Sequence, residues 1–299
     1  MSERQSRRTE SARTSQTPLK FYMFVFGAIF IVGGITAGML IDKSSILTPN
    51  APSAFFPEKV LEKSNPVSTA CTNFAIDENA GTDSQLVKIN SDLTWLSLVK
   101  TYPCSGGICQ IEAMDADNSG ILYAISNSKK AIYKVGKSSG NLSFSANISS
   151  AYNIISMSFR KNDNSLWVWA PSKGLYTLNP VTGMLTLRLA SSLDFMDGMA
   201  WDNDSQYLYF SRAVGGLGET NELRRYDPST NIISYYASLP GDTDAIDFGP
   251  DGLLHGSYRE GNGILRIYKY DVDRKEVINT YTITTSNSNL DAFASCVPN

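Results

Sequence analysis

The sequence predicts an all-β, five-bladed β-propeller carried behind one transmembrane α-helix. Three observations predict it. Phe21 to Ile41 is an uncharged run long enough to span a bilayer. From Cys71 onward four short β-rich segments recur in fixed order, and the partial repeats at the two ends of that region complete one another.

Residues 1–20 carry Arg4, Arg7, Arg8, Arg13 and Lys20 against Glu3 and Glu10. The 21 residues that follow have no charge until Asp42. A cleavable signal would have a shorter apolar core and a small-x-small end, which Thr36-Ala37-Gly38 matches poorly. We therefore expect a cytoplasmic basic tail over 1–20 and a retained single-pass anchor over 21–42. Only Lys43 closely follows the span, so the positive-inside rule keeps the N-terminus in the cytoplasm. The rest of the chain then lies in the periplasm or extracellular space. Residues 43–70, with Pro49, Pro52, Pro57 and Pro66, read as a semi-extended stalk. Gly34 and Gly38 give the span a small face suited to packing on another membrane helix.

The repeats fill 71–299. The first segment is Glu112-Ala-Met-Asp-Ala-Asp117, matched by segments starting at Ile155, Asp197, Asp244 and Asp291; the starts lie 43, 42, 47 and 47 residues apart. A polar turn follows, then a strand such as Leu166-Trp-Val-Trp or Tyr207-Leu-Tyr-Phe. The third segment includes Leu175-Tyr-Thr-Leu-Asn and Ile267-Tyr-Lys-Tyr-Asp, and the fourth Met184-Leu-Thr-Leu. Four short strands per ~40–50 residues make a propeller blade. Four complete units begin at Glu112, Ile155, Asp197 and Asp244. Residues 71–103 supply strands two to four, and 291–296 a first strand, of a fifth blade with Velcro closure.

Leu175-Tyr-Thr-Leu-Asn-Pro-Val-Thr-Gly and Asp244-Ala-Ile-Asp-Phe-Gly-Pro-Asp-Gly-Leu-Leu resemble the repeats of NHL-type and gluconolactonase-like propellers. The resemblance covers roughly 71–299 and implies a ring with a central channel and one loop-built face. Such folds serve enzymes and scaffolds alike. In the repeat alignment Cys296 and Cys71 fall at the two ends of one hairpin turn, which predicts a Cys71–Cys296 disulfide riveting the closing blade. Cys104 and Cys109 would then staple the crossover between the first two blades. All four cysteines follow the span, where disulfides persist.

Function is less legible. A net charge of −3, with 18% charged residues, gives no electrostatic case for nucleic acid. The single histidine, His255, excludes a multi-histidine metal site, and its repeat position is an inter-blade packing position. Glu112, Asp197, Asp244 and Asp291 share one repeat position at the expected channel mouth; Ile155 breaks the set. These carboxylates have three readings: local capping of turn amides, a hard-cation site such as Ca²⁺, or an acid among ionised neighbours. Two second-to-third-strand loops beside the mouth are enlarged, Ser211 to Asn221 and Tyr258 to Gly263, and the corresponding loop of the closing blade, Asp77 to Ser84, is acidic. Arg212, Glu219 and Arg259 are the candidate contact residues there. Gly215-Gly-Leu-Gly joins two strands and precedes no helix, so it is no phosphate loop. The sequons at Asn141, Asn147 and Asn203 are expected by chance in a chain rich in Asn and Ser. We expect a binding or scaffolding subunit of a membrane-associated complex, with a protein partner meeting this face. The alternative is an enzyme acting on a carbohydrate or lactone through the mouth carboxylates.

Overall fold

Strands of four to nine residues, many of them buried on both faces and separated by Asp- or Asn-headed turns, set the architecture. In a computed structural model the described residues are 71–79, 83–214, 221–261, 263–283 and 289–298. The expected tail, span and stalk lie outside them, as does Glu219. Among the described residues no helix is long and apolar enough to cross a membrane.

The described residues form five four-stranded antiparallel sheets. One sheet joins β1 (Cys71–Asn79), β2 (Asp83–Ile89) and β3 (Leu96–Pro103) to the last strand of the chain. The next comprises β4 (Ile111–Ala116), β5 (Leu122–Ser126), β6 (Ala131–Val135) and β7 (Leu142–Asn147). It is followed by β8 (Ser156–Arg160), β9 (Ser165–Ala170), β10 (Gly174–Leu178) and β11 (Leu185–Ala190). The fourth contains β12 (Gly198–Trp201), β13 (Leu208–Arg212), β14 (Glu222–Asp227) and β15 (Ile232–Ser238). The fifth contains β16 (Thr243–Phe248), β17 (Leu254–Arg259), β18 (Leu265–Asp271) and β19 (Glu276–Ile283). Finally β20 (Leu290–Pro298) pairs with β1 and completes the first sheet. The inner strands β4, β8, β12, β16 and β20 neighbour one another in a closed cycle. This is a five-bladed propeller.

Turn chemistry explains the hairpins. Asp117 Oδ1 accepts the amides of Ser119 and Ile121, Asp202 those of Gln206 and Tyr207, and Asp271 those of Asp273 and Arg274. Short polar side chains hold such reversals because they reach backbone amides two to five residues on. Aromatic residues on second strands then pack on the inner strand of the next blade. Tyr123 meets Phe159 at 5.4 Å, Trp167 meets Trp201 at 5.2 Å and Tyr209 meets Phe248 at 5.5 Å between centroids. Blades thus bury one another's faces, which no blade can do alone.

Both expected disulfides are present, Cys71–Cys296 with Cα atoms 4.7 Å apart and Cys104–Cys109 with 5.0 Å. The first does not sit across the ends of a turn. No turn connects β20 to β1, so their pairing runs on until Cys71 faces Pro298. A bulge between Thr72 and Phe74 absorbs the shift, with Cys296 in the left-handed region (φ 51°) and its amide donating to Asn73 Oδ1 at 2.8 Å.

Candidate functional site: an acidic channel mouth

The four carboxylates stand where the inner strands begin. Glu112, Asp244 and Asp291 are the second residues of β4, β16 and β20, and Asp197 immediately precedes β12. The next position in each repeat is small: Ala113, Ser156, Gly198, Ala245 and Ala292. After it comes a bulky apolar residue, Met114, Met157, Met199, Ile246 or Phe293, each no more than 4% exposed. These residues line a cavity of only about 10 Å³ together with Glu112, Asp197 and Asp291. That is room for about one water molecule. The bulky side chains pack between neighbouring blades, and the channel is narrow just inside its acidic rim.

The rim is electrostatically strained. Burial, and then the charges of Asp244, Asp242 and Glu112, push the Asp197 carboxyl up to about 7. Burial pushes Asp244 up to about 6, with Asp242 adding to the rise and a hydrogen bond from Asn289 opposing it. Asparagine side-chain amides hold two of the set. Asn127 Nδ2 donates to Glu112 Oε2 at 3.1 Å, and Asn289 Nδ2 to Asp291 Oδ1 at 3.2 Å. Among the described residues no three carboxylate, histidine or cysteine side chains converge to hold a metal ion. Asp242 belongs to this group and was not singled out from sequence, because it follows Gly241 and reads as an ordinary turn residue.

The loop residues share the same end. Ser211 and Arg212 close the end of β13 that pairs with the start of β12, and the Ser211 carbonyl accepts the Asp197 amide at 3.1 Å. Arg212 is tied sideways to Glu222 at 3.1 Å, which also binds Arg224 at 2.7 Å. Arg259 is half-buried at the end of β17. Its loop closes tightly, with the Gly263 amide donating to the Glu260 carbonyl at 2.8 Å. Cys104–Cys109 lies on this face too, bridging the exit of β3 to the entry of β4.

His255 packs in the core, 3% exposed and edge-on to Phe293 at 6.3 Å. Its Nε2 lies 3.2 Å from Asp251 Oδ1, and Lys269 Nζ lies 2.7 Å from Oδ2. Burial works against ionisation of Asp251, but these two partners outweigh it and hold the carboxyl well below the usual carboxylate range. At the other end of the channel is a larger cavity, about 220 Å³, that includes Asp115 and Asp247. Nothing in the sequence marked it, because those two aspartates alternate with Ser158, Ala200 and Ala294 at the same repeat position.

Fold and mouth define the class: a five-bladed β-propeller with an acidic rim over a narrow channel. No protein-family model matches the chain, and no curated protein matches it. Solved structures do. A chain from a nidogen/laminin complex aligns with a TM-score of 0.50 at 8% identity, covering 74% of this chain and 97% of that one. TolB from Acinetobacter baumannii aligns at 0.49 and 16% identity, covering 73% of this chain and 54% of that one. A gluconolactonase from Xanthomonas campestris aligns at 0.49 and 15% identity, covering 73% and 78%. The likeness is to propellers, as the repeats led us to expect, and it is a likeness of fold alone.

Proposed function

We propose that the chain is a membrane-anchored propeller, held outside the cytoplasm, that acts as a binding or scaffolding subunit of a membrane-associated assembly. The observation that carries this reading is the form of the acidic mouth. Glu112, Asp197 and Asp291 border a cavity of only about 10 Å³, with Asp242 and Asp244 adding to the negative charge felt at Asp197. A narrow, charged rim suits recognition of a cationic protein surface, where complementary potential steers encounter and sets specificity. It suits enclosure of a small substrate less well. Anchoring and orientation rest on the uncharged run from Phe21 to Ile41 and the basic residues before it. The two disulfides agree with an oxidising compartment. Pairing of β20 with β1 supports a ring closed by both ends of the repeat region, so that the closing blade has no free inner edge.

A second reading has an observation of its own. Asp197 titrates at about 7, where a carboxylic acid is suited to giving a proton at neutral pH. In that reading the propeller is an enzyme acting on a carbohydrate or lactone through the mouth carboxylates, with Ca²⁺ as their counter-ion. Stoichiometric Ca²⁺ in purified protein, together with lactone or glycoside turnover lost in Asp197→Asn, would move the assignment to it.

One experiment tests the leading reading. A membrane-impermeant amine- and carboxyl-reactive crosslinker is applied to intact spheroplasts or cells expressing the full chain. We expect a crosslinked partner protein with the natural sequence. The folded double variant Asp197→Lys with Asp244→Lys should lose it. Capture only by a permeant crosslinker overturns the orientation; undiminished capture by the double variant overturns the assigned face.

A further inference from the structure

The face opposite the acidic mouth is built of turns, and large apolar side chains stand out from it around the whole ring. Trp95 of the closing blade, Ile121 of the second, Val181 and Met184 of the third, Ile232 of the fourth and Val277 of the fifth are all exposed. Each lies in or beside a turn at that end. Among the described residues the mouth face shows only Phe195 and Val214 in this way, and the remaining exposed apolar side chains lie along outer strands. Trp95 is 53% exposed, whereas Trp167, Trp169 and Trp201 are at most 6% exposed. Single apolar residues scattered over a surface need no explanation. Here every blade contributes at one end, so the tips make an annulus and not a groove. A peptide or a compact partner covers one side of such a ring; a flat apolar layer meets all five blades.

We propose that this face rests on the bilayer that anchors the chain, with Trp95, Val181 and Met184 seated at the level of the lipid headgroups. The inference rests on the anchored reading given above. The chain reaches the ring on this side: β20 leaves the acidic rim at Asp291, β1 runs antiparallel to it, and Cys71 therefore lies opposite Pro298 at the far end. Residues 43–70 span at most roughly 100 Å when fully extended. An anchor through them keeps the propeller at high effective concentration beside the membrane, so modest apolar contacts suffice to hold the face down. Tryptophan favours that depth, with its ring among the outer acyl carbons and its N–H toward water.

The charges of the face specify the kind of surface. Asp92, Asp117, Asp163, Asp227 and Asp271 fold back onto amides of their own turns, which draws these carboxylates in behind the apolar tips. Lys137, Lys161, Arg274 and Lys275 stand in the same set of turns, and so do Asp204 and Asp273. Both signs are present and no polybasic cluster forms, so the face suits a zwitterionic surface and not one selected for anionic lipid. The acidic mouth then points away from the membrane, toward a partner that approaches through water.

The test is tryptophan fluorescence of the full chain reconstituted into phosphatidylcholine vesicles, with plain or acyl-brominated lipid, since bromine quenches only an indole in contact with it. The expected span and stalk contain no tryptophan, so the signal comes from the ring. Emission should fall in the brominated vesicles by about a quarter, the share of one tryptophan in four, when Trp95 sits among the outer acyl carbons. Trp95→Phe should remove that loss. Val181→Ser with Met184→Ser, two blades away, should reduce the quenching of Trp95, because the face lies down as a unit. Flotation of the chain with the vesicles reports anchoring separately. A chain that floats while its emission is the same in both lipids overturns the inference and leaves the anchor standing; a chain that does not float overturns both. Trp95 shielded from acrylamide yet untouched by brominated lipid gives the face to a second copy or a protein partner and overturns the proposal. Undiminished quenching in the double serine variant reduces the contact to one side chain and overturns it as well.

Discussion

Burial, and then the charges of Asp244, Asp242 and Glu112, make ionisation of Asp197 costly and raise its carboxyl to about 7. In the unfolded chain the same group ionises near ~3.9. The native state therefore holds an extra proton between those values. The stability linked to that proton is complete below about pH 4 and is lost as pH rises through about 7. Asp197→Asn removes the penalty without removing the side chain's volume. Thermal melts across the pH range should show the variant close to the natural protein near pH 4. At pH 8 it should be more stable, on the order of 3 kcal/mol. Parallel melting curves at every pH would mean that Asp197 is solvated and that the rim is open. Asp244, raised to about 6, pushes the same way, so some decline with pH should survive in the variant.

Inner strands converge on the axis, and their residue pattern answers to that crowding. The position after each acidic start reads Ala113, Ser156, Gly198, Ala245 and Ala292 because neighbouring backbones come too close for more. Gly198 is the extreme case. A Cβ there would lie 2.6 Å from the Asp244 carbonyl oxygen and 2.8 Å from the Ile246 amide nitrogen, both backbone atoms of β16. Gly198→Ala should therefore destabilise by about 1–3 kcal/mol by forcing two blades apart. The same change at Gly261, which has nothing within 4 Å, should be nearly neutral; urea unfolding of both variants measures the contrast. This element also shows what could be read from sequence. The repeat of acid, small, bulky, then a second small or acidic residue was visible, so the blades, their order and the acidic end were legible. Period-two alternation tells which residues share a side of a strand. It does not tell whether five such sides meet around a wide channel or a narrow one. Met114, Met157 and Met199 line one narrow cavity, and Asp115 and Asp247 share another, only once the inner strands meet around the ring.

At the scale of the whole ring, one blade is unlike the others because it is assembled from both ends of the described chain. The other four blades form from contiguous segments of about 40 residues, whose hairpins need only short loop closures. The closing blade requires β20 to find β1 across 225 residues, the separation of Cys71 and Cys296. In the chain-entropy model, linking residues that far apart removes about 5 kcal/mol of unfolded-state freedom, whereas the five-residue Cys104–Cys109 loop removes about 2. The pairing of β20 with β1 remains when the sulfurs are gone, so the ring should still form; what changes is the competing unfolded ensemble. Replacing Cys71 and Cys296 together by Ser should lower the melting temperature by roughly 10–20 °C, and replacing Cys104 and Cys109 by much less. Calorimetric scans of the two double variants under non-reducing conditions make the comparison. Equal shifts would mean that strand pairing alone dictates closure and that the long-range bond adds only local rigidity. A larger shift at Cys104 and Cys109 would mean that the crossover into β4, and not the joining of the ends, is where the ring first comes apart.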